Sequence, residues 1–501
     1  MKTKKFAVLL FTLILALGLF PMSVFAAQRN VAANSKAFIK VENAVENDVL
    51  AAYKVVDITY DETSNHVSYV WNSSFADYFA QTNSVTNSAN QAYTVEQFAA
   101  LTADSDDLKK LLAGLPKYIA YKNIAVAKTA TVGEGGTATF ADLAMGEYFI
   151  RPSSTTSVYQ LMLQKIEPKV EEDSEGNPHY VIEDVTFTAK KEEVTITKTA
   201  DKTSVTKNEK VAYTVAVDIP TYSAEATDKT IYVSDLLPDG LTIDTASINV
   251  KIDGADVNPT AYNLDTTATK DYTFKLSVST QQYTNSWTNQ GGNKLVITYT
   301  ATLNNDNTTE VNVIETNTAT FDYSFYPYVE NSHKQKTDKV DVTTFAIKID
   351  KYVAGSHATK LADAKFDLYR TATDAEIAAG VTETIPHTTI NGIKLESDVV
   401  TNDSGVATFE KYEANGTKYD YYLVETQAPH GYNILAEAVK VNFTDAEATN
   451  GVYTVKVPNS SGITLPITGD EGIVIFTVIG IAFMGGAVIL FVLFHKKAKA
   501  N

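Results

Sequence analysis

Apolar side chains stand at every second position through most of the chain, the pattern of half-buried strands rather than helices. Val194-Thr195-Ile196-Thr197-Lys198, Val211 to Val217, Leu295 to Ala301 and Thr318 to Tyr323 all read this way, separated by Asn, Asp and Gly turns. Phe345 to Lys351, Ala364 to Tyr369 and Tyr453 to Asn459 repeat the scheme further on. Toward the start, Ala37 to Val41 and Ala51 to Val56 read as strands, and Gly136 to Phe140 followed by Gly146 to Ile150 reads as a turn-linked pair. Helical spacing interrupts only there: Thr94-Val95-Glu96-Gln97 fits a capping box, and Asp104 to Leu112 puts Leu108, Leu111 and Leu112 on one face.

The two ends break the alternation. Lys2, Lys4 and Lys5 precede an apolar core from Phe6 to Phe20, and Val24-Phe25-Ala26 offers small residues for cleavage after Ala26 or Ala27. At the other end an uncharged apolar run from Ile473 to Phe494 is long enough to cross a bilayer as a helix, and Lys496, Lys497 and Lys499 follow it as a cytoplasmic stop. The chain is read as exported and held at a membrane by its tail. Between the ends, the length suggests about three domains: 28–193, 194–341 and 342–463, after a signal peptide over 1–27 and before a tail over 465–501. The fold expected is mainly β, three tandem immunoglobulin-like sandwiches, the first with helical insertions.

The formal net charge is −18, and removing both lysine-bearing ends makes the exported part more acidic still. That balance argues against nucleic acid as a partner. There is no cysteine, so a chain built for the outside of a cell must rely on packing alone or on another crosslink.

A candidate for that crosslink follows from the alternation. Lys351 falls on the face of Phe345, Ile347 and Ile349, and Asn459 on the face of Val455 and Val457. Buried polar groups without partners cost roughly 2 to 7 kcal/mol each, and Glu425, in Tyr422-Leu423-Val424-Glu425-Thr426-Gln427-Ala428-Pro429-His430-Gly431-Tyr432, is an available third member. That stretch resembles the E-box of the collagen-adhesin B-type domain of Gram-positive pilins and adhesins, and Asn459 with Gly462 resembles its terminal strand. The resemblance implies that a first-strand lysine and a last-strand asparagine condense into an isopeptide bond with the glutamate's help. An apolar site would lower the lysine pKa and raise that of the carboxyl, so a neutral amine attacks the amide carbon while a protonated Glu425 polarises it.

In the middle domain Val194, Ile196 and Lys198 share a face, with Asn317 the preferred acceptor, Asn312 the alternative, and Asp235 the acid by resemblance to pilin middle domains. In the first domain Lys40 is placed where a donor would lie, but Arg151 stands where the acid belongs. An arginine keeps its charge, so no bond is expected there.

Leu465-Pro466-Ile467-Thr468-Gly469, directly before the apolar helix, resembles the cell-wall sorting signal of Gram-positive bacteria, which implies cleavage by a sortase between Thr468 and Gly469. Backbone pilins carry a nucleophilic lysine at the end of their first domain. At that place stand Lys190, preferred, and Lys191, without the usual flanking residues. The family implied is that of sortase-assembled major pilins. A class C pilus sortase and a housekeeping sortase, identical subunits, ancillary pilins and the peptidoglycan precursor are the implied partners, and a host ligand is left open. The alternative is a monomeric wall-anchored adhesin or ancillary pilin. An enzyme is not expected: the seven histidines show no metal-ligand spacing, no nucleophile constellation or phosphate loop is evident, and no cofactor or metal is implied.

Overall fold

The computed structural model describes residues 29–461, except 81–84, 104, 156, 289–291, 305–313, 414–418, 444–446 and 450, together with Met484. The signal peptide, Gly462, the sorting pentapeptide, the apolar run from Ile473 to Phe494 apart from Met484, and Asn312 lie outside the described residues. No helix among the described residues is long and apolar enough to cross a membrane.

The chain folds as successive β-sandwiches. In the first unit the order is Val185–Thr188, Lys36–Glu42, Ala138–Ala144 in one sheet, facing His66–Trp71, Val49–Asp61, Gly146–Ser154, Met162–Ile166 in the other, with Lys128–Thr131 also pairing with Val49–Asp61. The turn-linked pair expected at 136–150 is therefore not a hairpin. Ala138–Ala144 pairs with Lys36–Glu42, whereas Gly146–Ser154 pairs with Val49–Asp61 and Met162–Ile166. Met145, buried between them, marks where the chain crosses the core from one sheet to the other.

The capping box forms as expected on Val95–Ala99, with Thr94 and Gln97 satisfying each other's backbone donors. The second helix is longer than its sequence pattern suggests and runs over Asp106–Lys122, straight through Pro116. Pro116 removes the N–H that would bond the Leu112 carbonyl, and Tyr78 packs against the adjoining turn. Its hydroxyl occupies the space a side chain at Gly114 would need and donates to the Leu111 carbonyl at 2.6 Å. Leu115 and Ile119 extend the buried stripe beyond Leu112.

The middle unit is two five-stranded sheets. One runs Ile196–Ala200, Lys210–Asp218, Lys294–Leu303, Leu241–Ile252, Ala255–Asp256. The other runs Asn263–Asp265, Phe274–Val278, Ile231–Leu236, Ile314–Ser324, His333–Thr343. Trp287, Tyr213, Tyr299 and Tyr323 fill the space between.

In the third unit Phe345–Val353 pairs in parallel with Val452–Asn459 and antiparallel with Val406–Tyr412 and Ser356–Lys360. The facing sheet is Glu383–Thr384, Asn391–Val400, Lys365–Thr371, Tyr421–Gln427, Val439–Lys440. First and last strands of this unit are thus neighbours, and anything that joins them closes the whole sandwich.

Candidate functional site: two buried lysine, acid and asparagine clusters

In the third unit the alternation Ile347, Ile349, Lys351 is buried throughout, and Lys351 itself is 0% exposed. The parallel register sets Lys351 beside Val457 and Val353 beside Asn459, so the long lysine side chain crosses diagonally to the asparagine. Glu425 reaches them from the opposite sheet. The Lys351 amine donates to Asn459 Oδ1 and lies 3.1 Å from Glu425 Oε1, over the Phe366 ring. The Asn459 Nδ2 donates to Glu425 Oε1 at 2.9 Å and to the Asn433 carbonyl at 2.9 Å, and the Leu435 N–H donates to Glu425 Oε2 at 2.8 Å. Burial pushes the Lys351 amine below the ordinary lysine value, opposed by the Glu425 charge. An amine whose pKa burial lowers therefore faces a carboxamide whose nitrogen is held by Glu425.

The middle unit assembles the same residue types with another topology. Lys198 comes from the edge strand of one sheet, Asp235 and Asn317 from adjacent strands of the facing sheet. Asn317 is not on the terminal strand of the unit, as an acceptor of the first-strand-to-last-strand kind would be: it lies on Ile314–Ser324, with His333–Thr343 still to follow. The physical reason is coverage. Ile314–Ser324 is flanked on both sides and buries Asn317 completely, whereas His333–Thr343 is an edge strand on which only Val342 is buried.

Lys198 Nζ pairs with Asp235 Oδ2, with no side-chain exposure on either partner. It also donates to the Tyr299 hydroxyl at 2.9 Å; that hydroxyl donates to Asp235 Oδ1 at 2.9 Å and accepts from Asn317 Nδ2 at 2.7 Å. The Tyr213 and Tyr299 rings lie 5.1 and 5.3 Å from the amine. Burial lowers the Lys198 pKa against the pull of Asp235, and burial raises that of Asp235 against the pull of Lys198. Asn317 Oδ1 accepts no hydrogen bond among the described residues.

Among the described residues the first unit shows no such cluster. Ile39 and Val41 point into the core, so Lys40 points the other way, where it pairs with Glu42 at 2.8 Å. Its placement as a donor is thereby corrected: the strand's alternation puts it on the outer face. Arg151 is held at the junction with the middle unit, its guanidinium 5.3 Å from the Tyr53 ring and 5.2 Å from the Tyr326 ring.

Lys190 and Lys191 differ in accessibility. Lys191 pairs with Glu193 at 3.1 Å and its side chain is only 12% exposed. Lys190 is exposed, forms no ion pair among the described residues, and is fixed by its carbonyl, which accepts from the Gln160 N–H at 3.0 Å.

The SpaA prealbumin-like fold domain matches residues 345–458, and the LPXTG cell wall anchor motif matches residues 457–499. The third unit is the part of the chain that resembles a SpaA domain, and it is called that below. Its match begins on the Lys351 strand and takes in Glu425, and the anchor match takes in Asn459 and the sorting pentapeptide, so the chain is anchored to the cell wall at the surface.

Among curated proteins, the fimbrial subunit type 1 of Actinomyces viscosus is 31% identical over 154 residues, which cover 26% of this chain and 28% of that protein. The aligned part is thus less than a third of the relative. Among solved structures, the T6 backbone pilin of serotype M6 Streptococcus pyogenes superposes with a TM-score of 0.56 at 18% identity, covering 88% of this chain and 91% of that one. The full-length major pilin SpaD of Corynebacterium diphtheriae gives 0.51 at 16% identity, covering 86% and 99%. These likenesses establish the fold along nearly the whole described chain.

Three contributors were not singled out in the sequence. In the SpaA domain the Asn433 carbonyl and the Leu435 N–H hold the amide and the acid, and backbone groups leave no trace in residue type. In the middle unit Tyr299 occupies one of the alternating buried positions of Leu295, Ile297, Tyr299 and Ala301. A polar tip on that otherwise apolar face was the available signal.

Proposed function

We propose that the chain is the backbone subunit of a sortase-assembled pilus, stiffened by two self-formed isopeptide bonds: Lys351 to Asn459, assisted by Glu425, and Lys198 to Asn317, assisted by Asp235. The observation that carries this reading is the recurrence of a buried lysine, acid and asparagine in two successive sandwiches of a wall-anchored chain. An ion pair kept for stability alone would be a poor choice in such cores, because desolvation offsets most of its attraction. An amine of lowered pKa beside a carboxamide is suited to condensation instead, with proximity supplying much of the rate.

In each bond Nζ attacks the asparagine Cγ, the C–Nδ2 bond breaks, and ammonia leaves. In the SpaA domain Glu425 touches both nitrogens and moves the proton between them. For assembly, the sortase acyl-enzyme formed at Thr468 is resolved by the Lys190 amine of another copy, and repetition of this head-to-tail contact gives an open filament. A housekeeping sortase then passes the filament to a peptidoglycan precursor. Peptide mapping of the intact protein tests the crosslinks: branched peptides joining Lys351 to Asn459 and Lys198 to Asn317 are expected, each lighter by one ammonia. Linear peptides at all four positions would refute them.

A further inference from the structure

Asp235 differs from Glu425 in what it reaches. Glu425 touches both the attacking and the leaving nitrogen. Asp235 accepts from Lys198 and Tyr299 but makes no hydrogen bond to Asn317 in the described structure. The register explains why. Asp235 stands opposite Ala319 on the adjacent strand, so Asn317 is a diagonal neighbour, roughly 7 to 8 Å away between backbones. A side chain one methylene shorter than glutamate does not cover that distance. The Tyr299 hydroxyl, descending from the facing sheet, sits in the gap.

We propose that Tyr299 is a catalytic residue of the middle-unit crosslink, carrying the proton from Lys198 Nζ to the departing Asn317 Nδ2. This rests on the isopeptide reading above. The hydroxyl is 2.9 Å from Nζ and 2.7 Å from Nδ2, and its one hydrogen and two lone pairs are all engaged, by Asp235, Lys198 and Asn317. As Nζ bonds to Cγ it gives up a proton to the phenol oxygen. The phenol's own proton, held by Asp235 Oδ1, passes to that carboxylate, the hydroxyl then delivers the proton taken from Nζ to Nδ2 and recovers its own from Asp235, the Cγ–Nδ2 bond breaks, and ammonia leaves. The tyrosine ends as it began, no electrons are transferred, and Asp235 stabilises the charge that passes through the hydroxyl.

The ring is locked for this task. Tyr213 stacks on it with centroids 5.3 Å apart and an interplanar angle of 21°, and Phe274 meets its edge at 5.1 Å. Burial and the Asp235 charge hold the phenol well above its ordinary pKa, so it starts protonated.

The test is peptide mapping of the full chain carrying Tyr299→Phe, with the SpaA crosslink in the same molecule as internal control. The branched peptide joining Lys351 to Asn459 is expected at wild-type yield, and that joining Lys198 to Asn317 at least tenfold reduced. Both at wild-type yield would overturn the role of Tyr299. Absence of the Lys198 peptide from the wild type would instead overturn the crosslink reading itself. Because phenylalanine also removes hydrogen bonds from a core, a second variant carries 3-fluorotyrosine at 299, which keeps the shape and hydrogen bonds but makes the phenol more acidic. In a cell-free translation chase its Lys198 crosslink should form at a rate, and with a pH profile, measurably different from the wild type, while the Lys351 crosslink does not change. Identical time courses at 299-tyrosine and 299-fluorotyrosine would reduce Tyr299 to a structural support and overturn the proposal.

Discussion

Asn459 gives its two amide hydrogens to Glu425 and to the Asn433 carbonyl, and the Glu425 carboxylate lies against Nδ2 through both oxygens, at 2.9 and 3.1 Å. The acid is thereby set against the nitrogen that leaves. Glu425→Ala is expected to abolish the Lys351 to Asn459 bond while sparing the Lys198 bond, leaving the variant one ammonia heavier than the same variant would be with both bonds formed. Lys351 and Asn459 are 108 residues apart, and if a crosslink acts on the unfolded chain as a disulfide does, closing a loop of about 100 residues contributes on the order of 4 to 5 kcal/mol. Thermal unfolding of the variant should show the SpaA transition lowered accordingly. A variant whose mass is still short of its sequence mass by two ammonias would remove Glu425 from the chemistry.

Lys190 is the accessible member of its pair and Lys191 the one already held by Glu193. Lys190→Arg keeps the positive charge but offers no neutral amine at accessible pH. Wall extracts of cells making this variant are expected to hold monomer only, whereas Lys191→Arg should retain the ladder of covalent multimers. A ladder in the Lys190 variant would move the acceptor elsewhere, and a wild type without any ladder would favour a monomeric adhesin.

The alternation of apolar residues was enough to read the strands that carry Lys351, Asn459 and Lys198, because burial in a sandwich is written at period two. Glu425 was legible only through a resemblance, since a glutamate in a strand has many ordinary uses. What escaped was set by tertiary context. Period two says that Lys40 and Ile39 face opposite ways but not which face is covered. The 136–150 segment reads as a hairpin because local sequence does not record that Met145 carries the chain across the core. Tyr299 looked like another core aromatic until its hydroxyl was seen between three polar side chains.

Arg151, which stands where an acid would be needed for chemistry, serves the junction between the first two units instead. Its guanidinium lies between Tyr53 of the first unit and Tyr326 of the middle one, while Ala113 and Val158 join the middle unit's core cluster. Cation–π contacts of this kind are worth roughly 0.5 to 2 kcal/mol each. Arg151→Ala is expected to loosen the joint without unfolding either sandwich. Limited proteolysis should then cut between residues 189 and 196 at least several-fold faster, with calorimetric transitions of both units retained. Equal cleavage rates would show that the apolar contacts alone hold the junction.

Glu147 gives the first unit a pH dependence. It sits opposite Lys165 and is 6% exposed, and its Oε2 has no hydrogen-bond partner among the described residues. Burial, with a smaller push from Glu167 and against the pull of Lys165, raises its pKa from 4.5 to about 7. The folded state therefore keeps a proton that the unfolded chain gives up near 4.5, so the stabilisation is fully present below that value and is lost as pH rises through about 7. At about 1.4 kcal/mol per pKa unit the loss amounts to roughly 3 kcal/mol. Glu147→Gln, which is neutral throughout, should flatten this dependence and raise the melting temperature of the first unit at pH 8 by roughly 5 to 10 °C. Calorimetry of the wild type and the variant between pH 5 and 8 checks it. Parallel melting curves across that range would mean that Glu147 ionises in the fold without penalty, with Lys165 neutralising the charge that burial opposes.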